Sequence, residues 1–344
     1  MGRHLLIIAY AFPPNSAVGA MRPLRVVKNL AAATDWRVTV IAARGGTRRR
    51  DERLLAEIPP GTTVHRTPVF EPLRWLAPPR PGATPPPGPV ATAAPAAGPV
   101  AGSPRGGPKA WLRNALSTPD SELFWSGPVL ARALRVHADR PCDAVMVTSP
   151  PWSAQVAGAA LSRLLRIPWI ADYRDPWTDV GRWQRSPAFE RWNRRVEEWV
   201  LPGAAAVVST SDTYTGILRS RFPGRAPETF ATIYNGFDET KIVAEARPAR
   251  RRLTLVHLGT LYEHWQPWTT FAVLRDWLHR HPERRTDCVL RFVGQPGRRT
   301  REMLTEYGLE DVVEVTGFVG HREAIDRCLE AVRRVAIAVL GSVK

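Results

Sequence analysis

The sequence predicts an α/β protein built from two parallel-sheet domains, and two observations support this fold class. Short apolar runs, too short to be helices, alternate with stretches of helical periodicity along most of the 344 residues. The alternation forms two series, one ending near residue 236 and the other starting near residue 253. Runs that alternate in this way form strand–helix–strand units with parallel strands. We therefore expect an N-terminal domain at 1–236 and a C-terminal domain at 237–344.

The first series supplies the strands and helices of the N-terminal domain. Strands are expected at residues 4–9, 37–42, 63–67, 144–148, 168–171, 205–210 and 232–234, and helices at 21–30, 154–165, 189–200 and 213–220. The first run resembles a signal peptide, but Pro13 and Pro14 directly after it favour a buried strand that leads into a loop. In the third helix Phe189, Trp192 and Trp199 share one side, so we expect both tryptophans in the core.

A Pro-rich segment at 77–109 interrupts the first series. It holds 11 of the chain's 33 prolines and almost no large apolar side chain. Such a composition buries too little surface to offset the entropy lost on ordering, so we expect a flexible segment. A domain linker is one interpretation. Too little sequence precedes the segment for a complete domain, which favours an insertion within the N-terminal domain.

The second series predicts a smaller parallel sheet. Strands are expected at 253–258, 289–293, 312–316 and 335–340, and helices at 268–280, 299–307 and 322–331. A doubly wound sheet usually has five or six strands, whereas the sequence ends at Lys344, just after the fourth. The expectation is an incomplete C-terminal domain.

The composition narrows the possible partners and the compartment. A net charge of +16 favours anionic partners such as lipid headgroups or diphosphates, whereas no RNA- or DNA-binding motif accompanies it. Three scattered cysteines do not make a disulfide framework, which favours a reducing, cytoplasmic compartment. Tryptophans and arginines are mixed in the segment around Trp183. This segment predicts peripheral contact with an anionic membrane at its inner face.

Charged residues and a glycine indicate a candidate site at the ends of two predicted strands. Asp172, Arg174 and Asp175 come at the end of a predicted buried strand, where α/β proteins bind their ligands. Gly19 lies at the start of the first helix, where free backbone N–H groups attract an anion. The alternatives are an Arg174–carboxylate pair that only fixes its loop, and a glycine that only permits a turn.

Several runs resemble, in order along nearly the whole chain, the motifs of glycosyltransferase family 4 enzymes. They lie at 4–22, 148–153, 167–178, 233–238, 256–262, 292–294 and 315–319. The resemblance implies a GT-B fold, in which two Rossmann-like domains face a cleft, with an acceptor domain first and a donor-nucleotide domain second. It implies transfer of a sugar from a nucleoside-diphosphate sugar to an acceptor hydroxyl, with retention of configuration. No metal and no cofactor are expected, and the chain contains no Asp-x-Asp pair.

The resemblance also assigns site residues. The catalytic residues would be Asp172, Arg174 and Asp175, and the acceptor-binding residues Ser16, Gly19, Arg22, Ser149 and Trp152. The donor-binding residues would be Gly259, Thr260, Tyr262, Gly294, Gly317, Phe318 and Val319. The acceptor would be a glycan, a lipid-linked molecule or a small molecule, and no nucleic acid is expected.

The sequence departs from the family pattern at three places. Ser149 and Pro150 stand where many relatives have a histidine, and Thr260 and Tyr262 stand where many have basic residues. The family's Glu-x7-Glu signature does not follow the fourth strand of the second series. The alternative function is therefore an inactive or truncated GT-B relative with a binding or scaffolding role.

Overall fold

The structure is a computed structural model that divides into two compact units, residues 1–236 and 237–344. It describes residues 2–45, 50–70, 118–178, 187–236, 252–259, 261 and 267–329. The Pro-rich segment at 77–109, the tryptophan at 183 and the strand expected at 335–340 lie outside the described residues. Among the described residues, no helix is both long enough and apolar enough to cross a membrane.

The described part of the first unit contains a parallel sheet of seven strands. The strands are β1 (His4–Ala9), β2 (Arg37–Arg44), β3 (Thr63–Pro68), β4 (Ala144–Ser149), β5 (Trp169–Tyr173), β6 (Ala206–Ser209) and β7 (Phe230–Thr232). The helices are α1 (Val18–Ala33), α2 (Ser126–Asp139), α3 (Ser153–Leu165), α4 (Pro187–Val200) and α5 (Asp212–Arg221). The strand order is β3-β2-β1-β4-β5-β6-β7, so the order reverses between β1 and β4. The predicted fold class is confirmed.

The core explains why β1 is an unbroken apolar run from Leu5 to Ala9. All of its residues are buried, because helices cover both faces of a parallel sheet. Leu6 and Ile8 point into one cluster, which also contains side chains of α2 and α3. Leu5 and Ile7 point into the other, with Leu24 of α1.

Three elements of the first unit differ from the sequence-based expectation. The last strand lies at Phe230–Thr232 rather than at 232–234. Helix α2 was not expected, because its buried positions Val129, Ala133 and Val136 are too small to give a strong apolar signal. The prediction that Trp192 and Trp199 pack in the core is wrong, since they are 55% and 54% exposed. Helix α4 buries polar side chains instead, because they bond to the loop that follows β5.

The second unit, in its described part, has a parallel sheet of three strands in the order β10-β9-β8. The strands are β8 (Leu253–Leu258), β9 (Cys288–Val293) and β10 (Val313–Val315). The helices are α6 (Trp268–Arg280), α7 (Arg298–Glu306) and α8 (His321–Leu329). One face of this sheet packs against α6 and α7 through Phe271, Phe292 and Met303. The second series of strands and helices therefore forms a core of its own.

Candidate functional site

The predicted residues of the first unit gather at one edge of its sheet. The carboxyl ends of β1, β4 and β5 lie side by side there, because the three strands are parallel neighbours. Open α/β sheets bind ligands at such an edge, at the point where the strand order reverses. The strand ends and following segments carry Ser16, Gly19, Arg22, Ser149, Trp152, Asp172, Arg174 and Asp175. Their roles in a reaction stay predictions.

The loop after β1 is held by side chains that bond to its backbone. The Asn15 carboxamide oxygen accepts a hydrogen bond from the Ala17 amide at 2.9 Å, just before α1 begins. Arg66 on β3 donates to the carbonyl oxygens of Phe12, at 3.2 Å, and Pro13. Burial lowers the pKa of Arg66. Sequence reasoning missed Arg66, because nothing in its short strand distinguishes it from a surface arginine.

Arg22 and Asp172 form a buried ion pair. Arg22 donates from Nη2 to Asp172 Oδ1 at 2.7 Å and from Nε to both carboxylate oxygens at 3.0 Å. Its Nη1 donates to the Ile233 carbonyl at 2.8 Å. Arg22 is 6% exposed and Asp172 is 0% exposed. The pair therefore fastens α1 and the segment after β7 to the end of β5, and neither side chain presents a free surface.

Arg174 lies against the start of α1. Its Nη1 donates to the Gly19 carbonyl at 3.1 Å, and its Nε donates to Asp175 Oδ2 at 3.3 Å. A Cβ on Gly19 would lie 2.5 Å from Arg174 Nη1, so a side chain at position 19 would require this guanidinium to shift. The Asp175 side chain is 51% exposed, whereas that of Arg174 is 10% exposed. The structure thus joins the two predicted loops through Gly19 and Arg174, and Asp175 is the accessible carboxylate.

Ser149 and Trp152 are buried rather than displayed at the edge. The Ser149 hydroxyl donates to the Asp172 carbonyl at 3.3 Å and accepts from Gln155 Nε2 at 3.0 Å. The Ser153 amide, in the first turn of α3, donates to Asp120 Oδ2 at 2.9 Å. Burial raises the pKa of Asp120. The protein's own carboxylate thus occupies the amino-terminal end of α3.

A buried polar network supports the loop after β5 from behind. Glu197 of α4 accepts from Thr178 Oγ1 at 2.6 Å and from Arg221 Nη2 at 2.8 Å. Asn193 accepts from the Trp177 indole nitrogen at 2.9 Å. Burial raises the pKa of Tyr173, and the Glu197 carboxylate raises it further. Because these partners lie beneath α4, the helix turns its polar side inward.

Three glycines of the second unit mark the carboxyl edge of its sheet. Gly259, Gly294 and Gly317 follow β8, β9 and β10, and all have positive φ angles, of 108°, 143° and 72°. The Gly259 amide donates to the Val293 carbonyl at 2.9 Å. A Cβ on Gly294 would fall on the Gly259 carbonyl, so a side chain is excluded at that position.

The remaining predicted donor residues have different surroundings. Phe318 is 40% exposed beside Gly317, whereas Val319 packs against a small apolar cluster beneath α8. Thr260 and Tyr262 lie outside the described residues. His257, which sequence reasoning missed, is buried near the end of β8, and burial lowers its pKa. In its described part, the edge of the second sheet therefore offers mainly backbone together with the exposed ring of Phe318.

Comparisons with known proteins bear on both units. A family model for a glycosyl transferase 4-like domain matches residues 19–236. The chain is similar to the structure of Anabaena Alr3699/HepE in complex with UDP and glucose, at 17% identity and a TM-score of 0.51, over 94% of this chain and 72% of that chain. It is also similar to the N-terminal domain of Candida albicans trehalose-6-phosphate phosphatase, at 14% identity and a TM-score of 0.57, over 94% and 75%. A search of curated proteins gives no significant match.

These similarities settle the fold and the family. The structural neighbours show a fold of the GT-B type, as the resemblance in the sequence implied. The family model covers more than half of the chain and includes all the predicted site residues of the first unit except Ser16. The chain therefore belongs to the family of glycosyl transferase 4-like domains, which supports glycosyl transfer as its general activity.

Proposed function

We propose that this protein transfers a sugar from a nucleoside-diphosphate sugar to an acceptor hydroxyl, with retention of configuration and without a metal ion. The observation that carries the proposal is the Arg174–Asp175 pair, held against Gly19 at the strand-order reversal of a glycosyl transferase 4-like domain. A cation and an accessible carboxylate at this edge are suited to an anionic donor and a hydroxyl-bearing acceptor.

In this proposal the predicted catalytic residues divide into two kinds. Arg174, beside the first turn of α1, supplies positive charge for the diphosphate that leaves. Asp175 is accessible to the acceptor. Asp172 and Arg22 act as positioning residues, because both are buried and bonded to each other. Ser149 has a similar supporting role through its bond to the Asp172 carbonyl.

The second unit would hold the nucleotide. Its glycine edge supports this role, because Gly259, Gly294 and Gly317 let a ligand approach the backbone closely. The similar Anabaena protein is in complex with UDP and glucose, which favours a nucleoside-diphosphate sugar as the donor. Phe318 would contact the base through its exposed surface.

In the proposed reaction, one bond at the anomeric carbon of the donor sugar is replaced by another. The acceptor oxygen forms a bond to that carbon as the bond to the donor phosphate oxygen breaks. The acceptor proton passes to the departing phosphate oxygen. Retention requires that attack and departure occur on the same face of the sugar. The acceptor would be a glycan, a lipid-linked molecule or a small molecule in the cytoplasm.

Titration calorimetry with UDP-, GDP- and ADP-sugars tests donor binding directly. We expect one of them to bind, and NMR of the transfer product to show the donor's anomeric configuration. Activity should survive EDTA. If none of these donors binds, the protein is not a transferase of this kind, and the alternative of an inactive relative with a binding role replaces the proposal. An inverted product or a loss of activity in EDTA would overturn the corresponding part.

A further inference from the structure

Helix α4 carries an exposed strip of aromatic and basic side chains. At about 100° per residue, Arg191, Trp192, Arg195 and Trp199 lie within one arc of roughly 100°. All four are exposed. We call this set the α4 strip. Contiguous exposed apolar surface with a basic rim marks an interaction site more often than chance, whereas single exposed residues do not.

The strip faces outward because the opposite side of α4 is fixed. Asn193 and Glu197 are buried there and bond to Trp177 and Thr178 of the loop after β5. Arg221 completes the network with an ion pair to Glu197 at 2.8 Å. Rotation of the tryptophans toward the core would leave a buried carboxylate and a guanidinium unpaired, which is strongly unfavourable. The exposed tryptophans are therefore a stable feature of the fold.

Neighbouring residues of α3 extend the strip. The Arg163 guanidinium lies 4.2 Å from the centre of the Trp199 ring, and its Nη2 donates to the Trp199 carbonyl at 3.0 Å. Leu164, the next residue, is 66% exposed. Arg191 and Arg195 form no ion pair with any other described residue. Positive charge on the strip is therefore available to a partner.

We infer that the α4 strip docks on an anionic lipid surface. Tryptophan rings have an apolar body and a polar N–H, so they reside well at the level of lipid headgroups. Arginines beside them can bond to lipid phosphates. The net charge of +16 attracts the protein to a negatively charged membrane before the rings insert. The inference concerns binding alone and does not depend on the proposed reaction.

Charge argues against a second copy of the chain as the occupant. A two-fold interface places the same patch on both sides, so the strip would meet itself. Arg191 and Arg195 of each copy would then meet, and the exposed Glu198 beside the strip supplies one carboxylate per copy for two arginines. A lipid phosphate supplies the opposite charge instead.

Sedimentation with vesicles tests the inference. We expect the intact protein to bind phosphatidylglycerol vesicles but not phosphatidylcholine vesicles, and added salt to release it. The Trp192→Ser/Trp199→Ser protein should lose about tenfold or more in affinity, as should the Arg191→Gln/Arg195→Gln protein, which keeps the tryptophans. A matched control, Val273→Ser/Arg280→Gln, removes an exposed apolar residue and a charge from α6 and should bind like the parent.

Three outcomes would overturn the inference. One is unchanged binding of both strip variants, each shown by circular dichroism to be folded. Another is equal or absent binding of the parent protein to the two vesicle types. The third is a dimer in analytical ultracentrifugation that the strip substitutions convert to a monomer, since a second copy would then be the occupant. Donor titration in solution is expected to be the same for all of these proteins. A failure of the vesicle experiment can therefore be distinguished from a failure of the proposed function.

Discussion

Two nitrogens of Arg22 donate hydrogen bonds to a single carboxylate oxygen of Asp172, Oδ1, at 2.7 and 3.0 Å. The two residues are 150 positions apart in the chain. The remaining nitrogen of Arg22 bonds to the Ile233 carbonyl at 2.8 Å. One guanidinium therefore connects α1, β5 and the segment at the end of the first unit. A lysine could not reproduce this planar set of donors.

Loss of either partner of this pair should destabilise the first unit. Asp172→Ala leaves a buried guanidinium unpaired, and we expect the free energy of unfolding to fall by about 3–5 kcal/mol. Urea denaturation followed by circular dichroism measures the change. The double variant Arg22→Met/Asp172→Leu removes both charges and should recover most of the loss. Equal stability of Asp172→Ala and the parent would show that the pair is not structural.

Gly19→Ala should impair turnover without unfolding the protein. The new methyl would lie 2.5 Å from Arg174 Nη1 and must displace that guanidinium from the Gly19 carbonyl. Alanine itself favours a helix by about 1 kcal/mol over glycine, so the melting temperature should hold or rise. Steady-state assays measure the loss. Gly216→Ala in α5 is the control, because nothing lies within 4 Å of its added methyl. Full activity of Gly19→Ala would mean that the position of Arg174 is unimportant.

Substitutions of Arg174 and Asp175 should separate chemistry from stability. Removal of one preorganised charge at a reacting centre costs about 100-fold or more in kcat. We expect a loss of this order for Arg174→Ala and Asp175→Ala, with unchanged circular dichroism spectra. Asp139→Ala, at the exposed end of α2, serves as the control. Unchanged turnover in both variants would move the site away from this edge.

Gly294→Ala should disturb the second unit at the end of β9. The side chain would collide with the Gly259 carbonyl, and the φ angle of 143° disfavours any residue but glycine. We expect weaker donor binding by calorimetry and a lower melting temperature. Gly308→Asn is the matched control, since its φ is 62° and open space surrounds it. If Gly294→Ala binds donor like the parent, the glycine edge is not part of the donor site.

Stability should decrease in mild acid. Burial lowers the pKa of three histidines, His4, His65 and His257. The unfolded chain, with a histidine pKa of about 6.5, therefore binds more protons than the folded protein as the pH falls through that value. The stability from neutral histidines is complete above about pH 6.5 and declines below it.

Thermal unfolding in a series of buffers measures this dependence. Replacing His4 by Asn should flatten the acid side of the curve, because one of these three histidines no longer takes up a proton on unfolding. His279→Asn, at an exposed position, should leave the slope unchanged. A melting temperature that stays constant from about pH 7 to about pH 5 would contradict the account.

Structural features that depend on residues close together in the sequence are predicted well. Short runs such as 4–9 predict strands because a strand covered on both faces needs apolar residues at every position. The position of Arg174 and Asp175 at a strand end predicts a place at the ligand-binding edge, since the topology of parallel sheets is general.

Contacts between distant parts of the chain could not be predicted in this way. The partners of Arg22 lie 150 and 211 residues away, so its burial leaves no local trace in the sequence. The rotation of α4 depends on Arg221 and Thr178, which belong to other elements. Periodicity alone places Trp192 and Trp199 in the core. It carries no information about a buried glutamate whose partners lie on other elements of the chain.

The close packing of Gly19 against Arg174 has a consequence for how related chains diverge. A side chain on the helix at this point would require the guanidinium from the loop to leave its present position. Lineages that acquire alanine at position 19 should therefore carry a shorter residue at position 174, and the two changes should be inherited together. Position 216, where open space surrounds the glycine, should vary independently of other positions. Aligned homologues would record this exchange as covariation between two positions 155 residues apart.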